Sequence, residues 1–284
     1  MAAIGTFKAA AVQLRSGTDP RRNLEHTRAL IRAAAEAGAD YVQTPEMTNL
    51  AVRDRAALFA AIRPEEEDAM LAGLRALARE LGIVLHIGSL ALLRPDGRAA
   101  NRAFVIGPGG DILARYDKIH MFDVDLANGE SWRESATYAP GEAAVTVDLP
   151  WVRLGLAVCY DLRFPDLFRA EAQAGAGLLT VPAAFTRQTG EAHWHVLQRA
   201  RAIENGAFVV AAAQGGRHED GRETFGHSLI VDPWGRILAE APDAEPGFIV
   251  ATIDPAKVAE ARSAIPSLSN GRPFAAPRPE GAAP

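Results

Sequence analysis

Apolar and polar positions follow two rhythms along this chain, and the rhythms alternate. Residues 7–14 (FKAAAVQL) form a short, mostly apolar run of strand length. Asp19 then stands where an N-cap belongs and Pro20 where a first helical residue belongs. Leu24, Leu30, Ile31, Ala34 and Ala35 recur at helical spacing up to Gly38, a C′ glycine. Tyr41 to Thr44 predict a second strand, stopped by Pro45. A second helix is predicted over 65–81, with Met70, Leu71, Leu74, Leu77, Ala78 and Leu81 on one face and Gly82 at its end. Residues 83–92 and 102–106 read as strands, and a turn at 108–110 (PGG) leads into another over 111–116. Residues 123–133 read as an irregular loop. Strands alternating with helices predict an α/β fold.

The second half repeats the first. Residues 151–159 (WVRLGLAVC) read as a strand matching the opening one. EAGADYVQTPE (36–46) aligns with QAGAGLLTVPA (173–183) at an offset near 137, with Gly38 over Gly175 and Pro45 over Pro182. FVIGPGGDILA (104–114) aligns with LIVDPWGRILA (229–239) at an offset of 125, with Pro108 over Pro233 and Gly110 over Gly235. Three matches in the same order predict two related halves, each strand–helix–strand–helix–strand–hairpin. Two such halves can pack sheet on sheet with helices outside, a four-layer α-β-β-α sandwich. From Pro266 the chain is rich in Pro, Ala and Gly, so a single domain over 1–265 and a tail over 266–284 are expected.

Composition narrows the class. With 284 residues, 48% of them apolar and 23% charged, the chain can bury a substantial core. Thirty Lys and Arg against thirty-five Asp and Glu give a net charge of −5, no global footprint for nucleic acid or an anionic membrane. No apolar stretch reaches the roughly 18 residues of a membrane span, and MAAIGTFKAAAVQL lacks a signal-peptide layout. A cytoplasmic protein without nucleic-acid or membrane partners is expected. The single Cys excludes an intramolecular disulfide and a Cys-rich metal site. IGPGG at 106–110 is hairpin chemistry, not a dinucleotide fingerprint, so the chain offers no glycine-rich phosphate loop, and no metal or organic cofactor is expected.

The differences between the halves point to chemistry. Glu46 follows Pro45 where the second half has Ala183, and Cys159 ends a strand where the first half has Gln13. Ligand sites in α/β sheets lie beyond the carboxyl ends of strands, so halves packed face to face could bring the acid and the thiol together. Each candidate also has a plain structural reading. Cys159 can be a small core hydrophobe, and Glu46 a loop acid or helix cap. Lys118, in YDKIHMFD, can be a snorkelling surface lysine. Glu134, in SWRESATYAPG, is an unremarkable acid on its own. The segment after Cys159 is crowded with polar groups (Tyr160, Asp161, Arg163, Asp166), which places the end of an apolar strand at a cleft. A thiol of ordinary pKa about 8.5 becomes a working nucleophile only beside a base or a cation.

Together TPEM with Glu46, YDKIHMFD with Lys118 and VCYDLRFPDLFR with Cys159 resemble the signature segments of the nitrilase superfamily of carbon–nitrogen hydrolases. The three residues occur in the order Glu, Lys, Cys, separated by 72 and 41 residues. The resemblance continues through AHWHVLQRARAIEN (192–205) and GHSLIVDPWGRIL (226–238), to about residue 265. It implies the same α-β-β-α sandwich that the internal repeat predicts. QGGRHEDGRETFGHS (214–228) is similar to the branch of deaminated-glutathione amidases, with the omega-amidases as a sister branch.

The resemblance implies hydrolysis of a small amide through a Cys159 thioester. Glu46 would be the general base and Lys118 the oxyanion stabiliser, with the Tyr160 N–H as a candidate second donor and Glu134 a second acid near the scissile group. An acidic substrate needs a cation, and Arg163, Arg187 and Arg217 are the candidates, Arg163 foremost because it follows the nucleophile by four residues. Phe185 and Thr186 are expected to line the same mouth. His120, His193, His195, His218 and His227 are expected to be structural, since a Glu–Lys–Cys site does not call for imidazole. An omega-amidase, an N-carbamoyl-amine amidase or a nitrilase with the same Glu–Lys–Cys site is the alternative enzyme reading, and a papain-like Cys–His pair and a non-catalytic binding protein on the same fold are the other rivals. A homodimer or higher homo-oligomer, with dimerisation through outer-layer helices, is expected from the resemblance.

Overall fold

The alternation in the opening strand separates two cores. Ala9 and Ala11 join the core between two sheets, while Ala10 and Val12 join the core beneath the helices. The computed structural model describes residues 5–126, 129 and 131–275.

In chain order the first half comprises β1 (Phe7–Gln13), α1 (Pro20–Glu36), β2 (Tyr41–Gln43), α2 (Arg55–Ala61), α3 (Ala69–Leu81), β3 (Val84–Leu93), β4 (Ala99–Ile106) and β5 (Ile112–Asp117). Two short strands, β6 (Asp123–Asp125) and β7 (Ser131–Arg133), pair with each other; β8 (Tyr138–Ala139) joins β4; β9 (Val145–Asp148) comes next. The second half comprises β10 (Arg153–Leu156), α4 (Pro165–Gln173), β11 (Leu178–Thr180), α5 (Arg187–Asn205), β12 (Phe208–Ala211), β13 (Gly215–Arg217), β14 (Glu223–Phe225), β15 (Leu229–Val231) and β16 (Ile237–Glu240). The chain then returns through β17 (Gly247–Ile253) to α6 (Ala256–Ala264).

One sheet runs β17-β1-β2-β3-β4-β5 and the other β16-β15-β12-β11-β10-β9. Stripped of the edge strands β17 and β9, the two have the same connectivity, since β1 to β5 correspond to β10, β11, β12, β15 and β16. The first three strands of each set are parallel and the last two antiparallel. The sheets pack face to face, α1 and α3 cover one, and α4 and α5 cover the other, giving the expected four-layer sandwich. Small residues permit the close approach. A Cβ on Gly88 would collide with the Thr44 carbonyl oxygen and with Cβ of Pro182 in the opposite sheet.

Local chemistry moves several expected boundaries. Asp68 caps α3, accepting from the Leu71 N–H at 2.7 Å. The expected helix over 65–81 therefore begins at Ala69, and Glu65–Glu67 form a separate 3-10 turn after Pro64. Helix α2, capped by Asp54, is too short for its periodicity to stand out. The irregular loop expected over 123–133 includes the paired strands β6 and β7. The strand expected over 151–159 holds its ladder only through Leu156, because Cys159 opens a 3-10 turn through Arg163. Of the expected tail, residues 276–284 lie outside the described residues, while Ser267 Oγ donates to the Glu204 carbonyl at 2.9 Å.

Candidate active site

Glu46 stands just past β2 in a turn that β3 holds open. Ser89 N–H donates to Pro45 O at 3.2 Å, and Thr48 N–H donates to Ser89 O at 2.9 Å. Met47, at φ 55°, takes the left-handed conformation that completes this turn, and its N–H donates to Ser89 Oγ. The Glu46 carboxylate then points across the sandwich, where Oε2 accepts from the Ala184 N–H of the second half at 2.9 Å.

Cys159 mirrors it from the other sheet. Its N–H donates to Pro182 O at 2.9 Å, and its backbone, at φ 52°, lies in the left-handed region uncommon outside glycine. That strained turn lifts the side chain out of the strand direction and toward the first half. The buried Asp161 holds the turn in place. Its Oδ2 accepts from the Val158 N–H at 2.9 Å and from the Tyr116 hydroxyl at 2.7 Å. Its Oδ1 accepts from the His120 N–H at 3.0 Å and contacts His120 Nδ1 at 2.7 Å.

Lys118 follows β5 and is buried. Its Nζ donates to Glu46 Oε1 at 2.9 Å and to Glu134 Oε1 and Oε2 at 3.1 and 2.8 Å. Asn101, on β4, closes the cluster by donating through Nδ2 to Glu46 Oε1 at 2.8 Å and to Glu134 Oε1 at 3.1 Å. The Phe122 N–H fixes Glu134 Oε2 at 2.7 Å. Two carboxylates thus share one ammonium and one amide in a dry setting, an arrangement that tolerates buried charge because each charge is paired and hydrogen-bonded.

The electrostatics reflect that pairing. Burial pushes the Glu46 carboxyl up, but the Lys118 charge and hydrogen bonds from Cys159, Lys118 and Asn101 outweigh it, holding the group below the ordinary carboxylate range. Burial pushes Lys118 down, but Glu134 and Glu46 overcome it and keep the ammonium charged. Burial and the neighbouring Glu46 raise the Cys159 thiol well above its ordinary value, although Lys118 opposes them. The resting site therefore holds a thiol beside an ionised acid and an ammonium, ready for transfer of one proton.

These groups open onto a cavity of about 290 Å³. The four predicted catalytic residues (Glu46, Lys118, Glu134 and Cys159) and the four predicted substrate contacts (Tyr160, Arg163, Phe185 and Thr186) all line it. Arg163 lies over the rings of Phe185 and Tyr160 at 5.4 and 5.9 Å and contacts His193 Nδ1 at 3.3 Å. Among the described residues no carboxylate neutralises it. Thr186 also caps α5, accepting from the Thr189 N–H at 3.4 Å.

The other two proposed arginines are elsewhere. Arg187 is exposed and paired with Glu191 at 3.0 Å, and it does not line the cavity. Arg217 lines a separate surface depression beside α1. Position in the sequence near a motif did not predict the direction of either side chain. The histidines serve varied contacts; His218, for instance, sits between Ser16 O at 2.8 Å and Thr224 Oγ1 at 2.7 Å.

Sequence reasoning missed Asn101, Tyr116 and the anchoring role of Asp161. Asn101 had a signal, as one of two polar residues with Arg102 in the mostly apolar AANRAFVI, but the predicted strand began one residue later. Arg53, Trp132 and Arg222 were missed as well. They form one wall of the cavity, with Arg53 4.6 Å and Arg222 5.5 Å from the Trp132 ring. Arg222 is paired with Asp220, whereas Arg53 has no carboxylate partner among the described residues.

Comparison with known proteins adds to this geometry. The sequence profile described as carbon-nitrogen hydrolase matches residues 8–263. A deaminated glutathione amidase of Yersinia enterocolitica is 41% identical over 267 residues, covering 93% of this chain and 92% of that protein. The human omega-amidase NIT2 is 37% identical over 267 residues, covering 94% and 95%. The crystal structure of Saccharomyces cerevisiae Nit3, described as a member of branch 10 of the nitrilase superfamily, superposes with a TM-score of 0.85 at 30% identity, covering 95% of this chain and 97% of that one.

Proposed function

This chain belongs to the carbon–nitrogen hydrolase family and is an amidase, and from that premise we propose that it hydrolyses the amide of a small 2-oxo acid, with deaminated glutathione as the preferred substrate. The observation that carries the reading is the convergence of Glu46, Lys118, Glu134 and Cys159 on a cavity that also presents Arg163, which has no carboxylate partner among the described residues.

In the proposed reaction Glu46 removes the thiol proton as Cys159 attacks the amide carbonyl, and the carbonyl oxygen becomes an oxyanion. Lys118 stabilises that oxygen together with the Tyr160 N–H, which lies in the first turn of its 3-10 segment and has no partner within it. Protonated Glu46 gives its proton to the leaving amine, which departs and leaves a thioester. Glu46, again ionised, then deprotonates a water that attacks the thioester, and the thiol is regenerated. Glu134 holds Lys118 from the far side, so the ammonium stays oriented when Glu46 is neutral.

Arg163 supplies paired donors for the 2-oxo carboxylate, and its position over Phe185 and Tyr160 fixes the plane of the guanidinium. Arg53, against Trp132, suits the distal carboxylate of a Cys-Gly leaving group. A nucleophilic thiol is maintained in a reducing compartment, which fits a cytoplasmic enzyme. The exposed apolar side chains Val196, Ile203, Trp234, Ile237 and Leu238, on α5 and the β15–β16 hairpin, fit a homodimer built through this layer.

The test is a panel of deaminated glutathione, 2-oxoglutaramate, an N-carbamoyl amine and a simple nitrile, with mass spectrometry of Cys159 during turnover. Highest kcat/KM on deaminated glutathione and a transient acyl adduct on Cys159 are expected. Preference for 2-oxoglutaramate would make the enzyme an omega-amidase, and preference for the nitrile or carbamoyl substrate would reject the 2-oxo acid reading.

A further inference from the structure

On the outer side of the second half, away from the catalytic cavity, three metal-ligating side chains from three separate segments converge. His195 lies on α5, His227 precedes β15, and Glu240 ends β16. His195 Nε2 stands 2.8 Å and His227 Nδ1 3.1 Å from the same oxygen, Glu240 Oε1. All three ligand atoms lie within 4.8 Å of one another. None of them lines the catalytic cavity, and the proposed amide hydrolysis uses none of them.

We propose that His195, His227 and Glu240 form a binding site for a borderline divalent transition-metal ion such as Zn²⁺ or Ni²⁺. Two imidazole nitrogens and one carboxylate oxygen select such ions over Mg²⁺ and Ca²⁺, which favour all-oxygen sets. Tetrahedral bonds of about 2.0–2.1 Å to nitrogen and oxygen place neighbouring ligands about 3.3 Å apart. The two contacts to Glu240 open by about half an ångström or less, and the two imidazole nitrogens, which lie within 4.8 Å of each other, draw together around the ion. In the single chain the side chains are between 26% and 34% exposed, which leaves one side of the ion open for water or for a donor from a second copy across this layer.

The backbone supports the arrangement from one side. His227 is held at φ 54°, one of three non-glycine residues in the left-handed region among those described. Its carbonyl accepts from Trp194 Nε1 at 2.8 Å, and its ring stacks on Phe225 with centroids 4.4 Å apart. The imidazole is thereby aimed at Glu240 before any ion arrives, which lowers the ordering cost of binding. An ion at this point would tie α5 to the β15–β16 hairpin.

The proposal is tested by titrating the intact, chelator-treated protein with Zn²⁺ in a calorimeter and following the thermal midpoint with and without the ion. One Zn²⁺ per chain and a midpoint that rises with Zn²⁺ and returns with chelator are expected. His195→Gln and Glu240→Gln should each weaken binding about tenfold or more, since loss of a supporting second-sphere group alone costs that much. His227→Asn, which tolerates the left-handed backbone, should do the same. Cys159→Ala, run in parallel, should leave the affinity unchanged. Absence of binding at millimolar Zn²⁺, unchanged affinity in the three variants, or loss of binding in Cys159→Ala would each overturn it.

Discussion

The Tyr116 hydroxyl donates to the Asp161 carboxylate across 2.7 Å, joining the end of β5 in one half to the turn that carries Cys159 in the other. Two residues beyond Tyr116 comes Lys118, and two residues before Asp161 comes Cys159. The ammonium and the thiol are thus registered to each other through a buried hydrogen bond that touches neither. Tyr116→Phe leaves the ring packing intact and deprives a buried carboxylate of one donor, a loss of about 1–3 kcal/mol in stability. Misplacement by a fraction of an ångström slows chemistry more than binding. A fall in kcat of about tenfold with little change in KM is expected. An unchanged kcat in a folded variant would refute the registration.

Removing the proposed nucleophile and removing the buried cation should have opposite structural consequences. Cys159→Ala deletes one buried sulfur and leaves the Glu46–Lys118–Glu134 ion pairs intact. Its thermal midpoint should stay close to wild type while turnover drops about ten-thousand-fold or more. Lys118→Met leaves Glu46 and Glu134 facing each other in a buried site without their shared cation. A destabilisation of about 3–5 kcal/mol is expected in chemical denaturation, beyond the loss of activity.

The pH profile should be broad and lack a neutral limb. Glu46 must be ionised to act as base, and its pKa is held below the ordinary carboxylate value, so the acid limb of kcat/KM should fall below about pH 4.3. Cys159 and Lys118 are both raised, so no loss should occur on the alkaline side until above their ordinary values of about 8.5 and 10.4. The same shift sets the pH dependence of stability. A depressed carboxyl contributes stability above its unfolded pKa, and that contribution is lost as pH falls through the lower folded value. A pH–rate profile with a limb near 7 would contradict this assignment.

Substrate selection should divide between two arginines. Arg163→Gln loses the cation over Phe185 and Tyr160 and should lower kcat/KM about 10–100-fold on every 2-oxo acid amide, through lost charged hydrogen bonds of about 1.5–3 kcal/mol. Arg53→Gln should penalise only a substrate whose leaving group ends in a carboxylate. Steady-state rates on deaminated glutathione and 2-oxoglutaramate for both variants measure the difference. Equal losses on both substrates in Arg53→Gln would remove it from the distal role.

Gly88→Ala tests the sheet-to-sheet packing. The added methyl meets backbone of the Glu46 turn and Pro182 at distances that no rotamer change can relieve. Overpacking of about 1–3 kcal/mol or more is expected in denaturant unfolding, with activity falling because Glu46 is displaced. A variant as stable and active as wild type would indicate that the two sheets are less tightly apposed there.

Much of the molecule was legible without coordinates, for local reasons. Asp19, Pro20 and Gly38 delimit α1 through capping and backbone preferences that act over a few residues. The aligned Gly38/Gly175 and Pro45/Pro182 pairs exposed the two halves because equivalent strand ends demand equivalent chain breaks. Glu46, Lys118 and Cys159 stood out through the motifs around them. The turn at Cys159 was not legible, because Tyr116, His120 and Pro182, which hold it, are distant in the chain, and β6 and β7 were not legible because three residues each are too few for their alternation to stand out.

The layered α/β architecture and its internal duplication, and the choice of Glu46, Lys118 and Cys159 as candidates, could be read along the chain, since periodicity, caps and motif residues are properties of short segments. That Asn101 bridges two glutamates, that Asp161 anchors the turn carrying Cys159, and that Arg163 faces the cavity while Arg187 and Arg217 do not, became visible in the folded molecule alone. Those outcomes depend on side-chain direction and on the meeting of segments from opposite sheets, where low dielectric and a few tenths of an ångström set the strength of every polar contact.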